Sequence, residues 1–252
     1  MRDFLLKLGV PSAQIRNLHD SEATRAAIID EIKALSLNAK IKKGDPILIY
    51  YAGHGASADI PKGWVGSTGR IELLVPYDYS SLKYGNPMHG IPDRTLGALL
   101  SNLASTKGDN IVRQTFILRV FTSINYCTCQ TVILDCCHSG SGSRNLQVQV
   151  QVLDPSYKAR GLDVELEDVP SDLDEDIWFD FVERGVEIPS GFVRKGLRSH
   201  VLLAACHSEK SAYERTSRGV FTVALIDTLA DIGIDNLTYA TLLDQMPPLS
   251  SG

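Results

Sequence analysis

Two apolar runs set the terms for what this chain can fold into. Ile47-Leu-Ile-Tyr-Tyr-Ala52 is cut off by Gly-His-Gly55, and Thr131-Val-Ile-Leu134 by Asp-Cys-Cys-His-Ser-Gly140. Runs of this length that end on glycine and chemically active side chains read as buried strands whose ends deliver those side chains into one cleft. Around them β-rich segments alternate with helical ones. The expected fold class is therefore α/β, a mostly parallel sheet with helices on both faces. Ser21 or Thr24 can cap a helix running to about Leu37, with Ala27, Ile28, Ile32 and Leu35 at helical spacing. Lys42-Lys-Gly-Asp-Pro46 then turns the chain into the first run, and a second helix is expected over about Asp93 to Ala104. Gln14 to Leu18 is a short strand candidate, and Trp64 to Val75 a hairpin with Gly66 and Gly69 near its turn.

The residues at the ends of the two runs define a chemistry. A thiol of ordinary pKa, ~8.5, is only slightly ionised at neutral pH, so a nucleophilic cysteine needs a neighbouring imidazole to take its proton. Cys137 is the candidate nucleophile. His54 is the candidate base and, after attack on a peptide carbonyl, the acid that protonates the leaving amine. Backbone N–H groups of Gly55 and Cys137 are the expected oxyanion donors, since glycine lets main chain approach a substrate closely. The scheme requires no metal. Cys127-Thr-Cys129, taken with Cys136, Cys137 and His138, does not match the CxxC spacing usual in zinc sites. Cys136 is expected to be a small buried residue and His138 a structural one. Gly53 and Gly55 are not followed by the Lys-Ser/Thr of a phosphate loop.

Tyr51-Ala-Gly-His-Gly55 followed by Asp135-Cys-Cys-His-Ser-Gly140 resembles the caspase-like clan of cysteine peptidases, and within it the fungal metacaspase branch. The Gln-Ala-Cys-x-Gly motif of animal caspases, roughly ~50 residues after the histidine, does not occur here. The resemblance implies the caspase-like three-layer αβα arrangement, with Cys137, directly before His-Ser-Gly, as the nucleophile. It implies that Asp135 is the acidic residue of the primary specificity pocket, and hence cleavage of protein or peptide substrates after Arg or Lys, in regulated proteolysis or programmed cell death. Ile91 to Leu100 resembles the helix before the nucleophile strand, Ser199 to Cys206 the strand opening a small-subunit region, and Gly219 to Leu229 the next helix. One catalytic domain results, divided into a large-subunit-like part (1–138), an exposed linker (139–198) and a small-subunit-like part (199–252). The linker opens on Ser-Gly-Ser-Gly-Ser and carries an acidic stretch from Asp163 to Asp176. Arg144, Arg160, Arg194, Lys195 and Arg198 are its candidate self-cleavage sites. The competing expectation is a caspase-like module that binds without cutting.

Departures from that pattern are informative. Many metacaspases hold calcium through aspartates, but here the corresponding stretches are Gly69 to Asp78, Pro92-Asp-Arg94 and Ser141-Gly-Ser-Arg144, where only Asp93 matches and Glu72 is a poor substitute. That is too little negative charge for a calcium cage. Residues 112–130 interrupt the passage from helix to strand, and deleting them leaves a seamless Asn-Ile-Thr-Val-Ile-Leu-Asp. Valine codons begin GT and a glutamine codon can be CAG, the two intron boundary signals, so this segment reads as an intron translated in frame. Relative to the resembled pattern, the chain begins inside its first helix, and the stretch Leu242 to Pro248 stops where a final strand is expected.

Bulk properties fit a cytoplasmic globular enzyme. The chain has 252 residues, 44% hydrophobic and 22% charged, enough for one substantial core. A net charge of −5 gives no footprint for nucleic acid or an anionic membrane. Nothing reads as a membrane span or secretory signal. Five cysteines, two of them adjacent, do not form a disulfide framework, and a free nucleophilic thiol suits a reducing compartment.

Overall fold

The computed structural model describes residues 1–64, 69–83, 86–108, 130–136, 156–160, 169–183, 200–206, 212–216, 218–233 and 238–247. In chain order the first elements are α1 (Arg2–Lys7), α2 (Arg25–Leu37), β1 (Ile47–Ala52), β2 (His54–Asp59), β3 (Arg70–Val75) and the short pair β4 (Leu82–Lys83) and β5 (Asn86–Pro87). Next come β6 (Ile91–Pro92), α3 (Asp93–Lys107), β7 (Gln130–Asp135), β8 (Lys158–Ala159) and α4 (Glu175–Glu183). The last are β9 (Val201–Ala204), β10 (Tyr213–Arg215), β11 (Arg218–Gly219), α5 (Val220–Ile232) and α6 (Tyr239–Gln245).

Both apolar runs are strands of one parallel sheet, ordered β1-β7-β9. Ile47 faces Gln130 and Ala52 faces Asp135 in register, while Thr131 to Leu134 face Val201 to Ala204. Alternate side chains supply two separate cores, as the period of two requires. Leu48, Tyr50, Ile133 and Leu203 pack with α1, α5 and α6, through Phe4, Leu5, Phe221, Leu225 and Leu242. Ile49, Val132, Leu134 and Leu202 pack on the other face with Ile29 and Ile32 of α2 and Leu96, Leu99 and Leu100 of α3. The result is the expected three-layer α/β sandwich, supplemented by antiparallel sheets β2-β3-β6 and β8-β10-β11.

Local chemistry explains the framing elements. The Thr24 hydroxyl accepts the Ala27 amide at 3.3 Å and starts α2, the second of the two caps expected. Helix α3 stops at Gly108, φ +102°, a conformation few other residues adopt. The Lys107 ammonium donates to the carbonyls of Asn38 and Ile41 at 2.8 and 3.0 Å, and the Gly44 amide to the Lys107 carbonyl at 2.7 Å. Those bonds clamp the turn that feeds β1.

Three expectations are corrected. Ile15 is extended, φ −106° and ψ 112°, but Ser12–Gln14 is a single 3₁₀ turn and no ladder forms at Gln14 to Leu18 among the described residues. The hairpin begins at His54 rather than Trp64, pairing His54 with Val75 and Asp59 with Arg70, and Trp64 lies in its connecting loop with its side chain buried. Within the expected exposed connection, the described stretches pack on the fold: Arg160, Val169 and Trp178 are buried. The proposed insertion lies outside the described residues except for Gln130, which opens β7.

Candidate active site

The site begins where β1 and β7 end side by side. The Gly53 amide donates to the Asp135 carbonyl at 3.3 Å, carrying the ladder one step past Ala52. Tyr51 folds under this turn, its hydroxyl 2.8 Å from the carbonyls of both His54 and Val75. A Cβ on Gly53 would lie 2.7 Å from that hydroxyl, so only glycine fits between the two motif residues. Burial, the largest influence, drives the Tyr51 phenol far above its ordinary range. It serves as a fixed neutral donor that holds the peptide of His54. The His54 side chain is then presented to solvent as β2 leaves the sheet, while the Gly55 amide, one residue on, donates to the Arg160 carbonyl at 3.1 Å.

Asp135 ends β7 fully buried. Its Oδ2 accepts the Thr222 amide at 3.1 Å and the Thr222 hydroxyl at 2.5 Å, from the first turn of α5. The Tyr50 hydroxyl lies 2.9 Å from the same Thr222 oxygen. Gly219 closes over the carboxylate so tightly that a Cβ there would be 1.8 Å from Oδ2. Arg160 lies alongside: its Nη1 donates to the Asp135 carbonyl at 2.9 Å and stands 3.8 Å from Oδ1, and its Nε is 3.6 Å from Glu214. Among the described residues Oδ1 itself has no hydrogen-bond donor. Burial pushes the Asp135 carboxyl upward, and the Thr222 hydrogen bonds and Arg160 charge pull it back.

Thus His54, Gly55 and Asp135 gather at one sheet edge, and Cys137 follows two residues after Asp135 but lies outside the described residues. Cys136 is buried, as expected, and its carbonyl accepts the Cys206 thiol at 3.4 Å. Nothing in the local sequence marks Thr222, Gly219 and Glu214 as the setting of Asp135, or Arg160, one basic residue among five, as a buried one.

The described residues among those corresponding to a calcium site do not fit that ion. Asp93 is buried, but its two oxygens accept the amides of Arg94 at 2.6 Å and Glu72 at 3.4 Å. Arg94 puts a positive charge next to them, its guanidinium 3.9 Å from the Trp178 ring centroid and 4.7 Å from that of Trp64. Among the described residues no group of three or more His, Cys, Asp or Glu side chains could hold a metal. None of the helices among them is long and apolar enough to cross a membrane.

A family model described as Caspase domain matches residues 1–247. No curated protein matches significantly. Nine solved chains do match. One is protein GSU0716 from Geobacter sulfurreducens, with a TM-score of 0.53 and 16% identity over 98% of this chain and 78% of its own. At that identity the likeness speaks for the fold alone.

Proposed function

Because the chain belongs to the caspase-domain family of cysteine peptidases, we propose that it is an endopeptidase that cuts after Arg or Lys with a Cys137–His54 dyad, in cytoplasmic regulated proteolysis. The carrying observation is the register of β1 on β7. Ala52 faces Asp135, and in the sequence His54 and Cys137 each follow two residues after those partners. A base and a nucleophile leaving the same sheet edge is the arrangement the chemistry needs.

In this reading His54 takes the Cys137 proton, the thiolate attacks the substrate carbonyl carbon and a C–S bond forms. The carbonyl electrons move to oxygen, where the Gly55 amide, already aimed at a peptide carbonyl, and the Cys137 amide donate to it. Collapse breaks the C–N bond as the His54 imidazolium protonates the amine. Water, deprotonated by His54, then hydrolyses the thioester. Asp135 supplies negative charge for a basic side chain. Thr222 holds Oδ2, while the buried Oδ1, without a donor among the described residues, is the oxygen left for an incoming guanidinium or ammonium group.

The test is turnover of fluorogenic Arg and Lys peptides by the purified chain, by Cys137→Ala and His54→Ala variants, and by a version lacking residues 112–130. Turnover abolished by either substitution supports the dyad. Turnover only by the shortened version supports both the dyad and the translated-intron reading. If both versions fold and neither cuts, the proposal is overturned.

A further inference from the structure

Tyr51 comes just before the end of β1, and its side chain turns back under the residues that follow. The ring packs against the core on the α2 and α3 side of the sheet. Its hydroxyl reaches the carbonyls of His54 and Val75, both at 2.8 Å. Those two residues face each other as the first pair of the β2-β3 ladder. An end pair has a neighbouring pair on one side only, so it is where a ladder opens most readily. The Tyr51 hydroxyl spans this pair from a different strand, its one proton shared between two acceptors. Burial holds the phenol far above its ordinary range, so the proton stays on.

The grip passes to the next residue through covalent geometry. In a planar trans peptide the C=O and the N–H point in opposite directions, and the peptide whose oxygen Tyr51 holds is the one whose N–H belongs to Gly55. That amide points at a peptide oxygen, the Arg160 carbonyl, at 3.1 Å. We propose that Tyr51 is a positioning residue for catalysis: by holding the His54 carbonyl it aims the Gly55 amide at the oxyanion. The inference rests on the proposed function in taking Gly55 as an oxyanion donor. Tyr51 itself touches neither the substrate nor the reacting atoms; it acts through one rigid peptide. A hydrogen bond weakens steeply as its angle closes, so an amide free to swing stabilises the transition state less. Removing an oxyanion donor altogether costs about 10²–10³ in kcat; loosening one should cost about tenfold.

The experiment compares the parent with Tyr51→Phe, which keeps the ring and removes only the hydroxyl. The parent is the full chain or, where only that form cuts, the version lacking residues 112–130. Three quantities are read: turnover of a fluorogenic Arg peptide, inhibition by a peptidyl-arginine aldehyde, and alkylation of Cys137 by iodoacetamide. Addition of the thiolate to the aldehyde forms a C–S bond and leaves the charge on oxygen, so it calls on the oxyanion donors. Alkylation forms a C–S bond as iodide departs, and calls on none. In Tyr51→Phe, kcat should fall about tenfold with KM unchanged, the aldehyde should bind about tenfold more weakly, and alkylation should stay within about twofold of the parent rate. 4-Aminophenylalanine at position 51 returns a weaker N–H donor and should recover part of the loss. It also stands in if Tyr51→Phe does not fold, and kcat and aldehyde binding equal to the parent's there overturn the inference. Unchanged kcat and aldehyde binding in Tyr51→Phe likewise overturn the positioning role, and leave the hydrolase reading standing. Alkylation slowed as much as the other two overturns it as well, because the damage is then general. If both versions of the parent fold and neither cuts nor binds the aldehyde, the hydrolase reading fails and takes this inference with it.

Discussion

Gly219→Ala isolates the tightest contact of the site. Gly219 has φ −66° and ψ 127°, which any residue adopts. In open space alanine would stabilise by ~0.4–1 kcal/mol through the unfolded chain. That gain is offset by the weaker helix N-cap, ~0.5–1 kcal/mol. The contact therefore decides the outcome. An alanine Cβ would lie 1.8 Å from Asp135 Oδ2, whereas ordinary contact begins at 3.4 Å, so about 1.6 Å must be opened. A shift of that size breaks the 3.1 and 2.5 Å bonds from Thr222 and leaves a buried carboxylate without them. Overpacking at ~1–3 kcal/mol and lost hydrogen bonds to a charged group at ~1.5–3 kcal/mol predict a loss of about 3–5 kcal/mol. Urea unfolding followed by tryptophan fluorescence measures it. The same substitution in an Asp135→Ala background should be nearly neutral, giving a coupling of at least ~2 kcal/mol in a double-mutant cycle. Gly219→Ala within about 0.5 kcal/mol of the parent would refute the packing described for Asp135.

Three further predictions address other contacts. Thr222→Val keeps the shape but removes the hydroxyl donor to Asp135 and the partner of Tyr50, and should cost about 1.5–3 kcal/mol in chemical denaturation. Arg94→Met removes the charge held between Trp64 and Trp178, and a loss of about 1–3 kcal/mol with altered tryptophan emission is expected, since buried Asp93 also loses its neighbouring cation. Burial pushes the His200 imidazole down to about 4. The folded group stays neutral while the unfolded chain takes up a proton below about 6.5, so stability falls as pH drops from about 6.5 towards 4, by roughly 3 kcal/mol. His200→Gln should flatten that part of the urea-midpoint profile.

What the sequence made legible follows from how local each signal is. The run Ile47 to Ala52 declares a buried strand by itself, and Thr24 declares a helix start by the hydrogen bond its hydroxyl makes three residues on. The ladder-less Gln14 to Leu18 shows the converse: residues that favour extension do not supply a partner strand. Helix α4 was hidden by its acidic surroundings. What orders it is distant: the Arg25 guanidinium and Thr95 hydroxyl meet Asp174 at 2.5 and 2.6 Å, and the Trp64 indole donates to the Ser171 carbonyl at 2.7 Å. Near the proposed site, the strand ends that carry His54 and Asp135 were readable because glycine and an abrupt end to apolar sequence mark them. Gly219, Thr222 and Arg160 were not, because they meet Asp135 only through tertiary packing across long separations in sequence.

The central claim, that Cys137 is a nucleophile served by His54 and guided by Asp135, is tested most directly by affinity labelling. The chain is treated with an arginine-ended acyloxymethyl ketone and the adduct located by tandem mass spectrometry. Modification of Cys137 alone is expected, abolished by His54→Ala and slowed at least tenfold by Asp135→Asn. Labelling that spreads over other cysteines, or that proceeds at the same rate without His54 or the Asp135 charge, would contradict it.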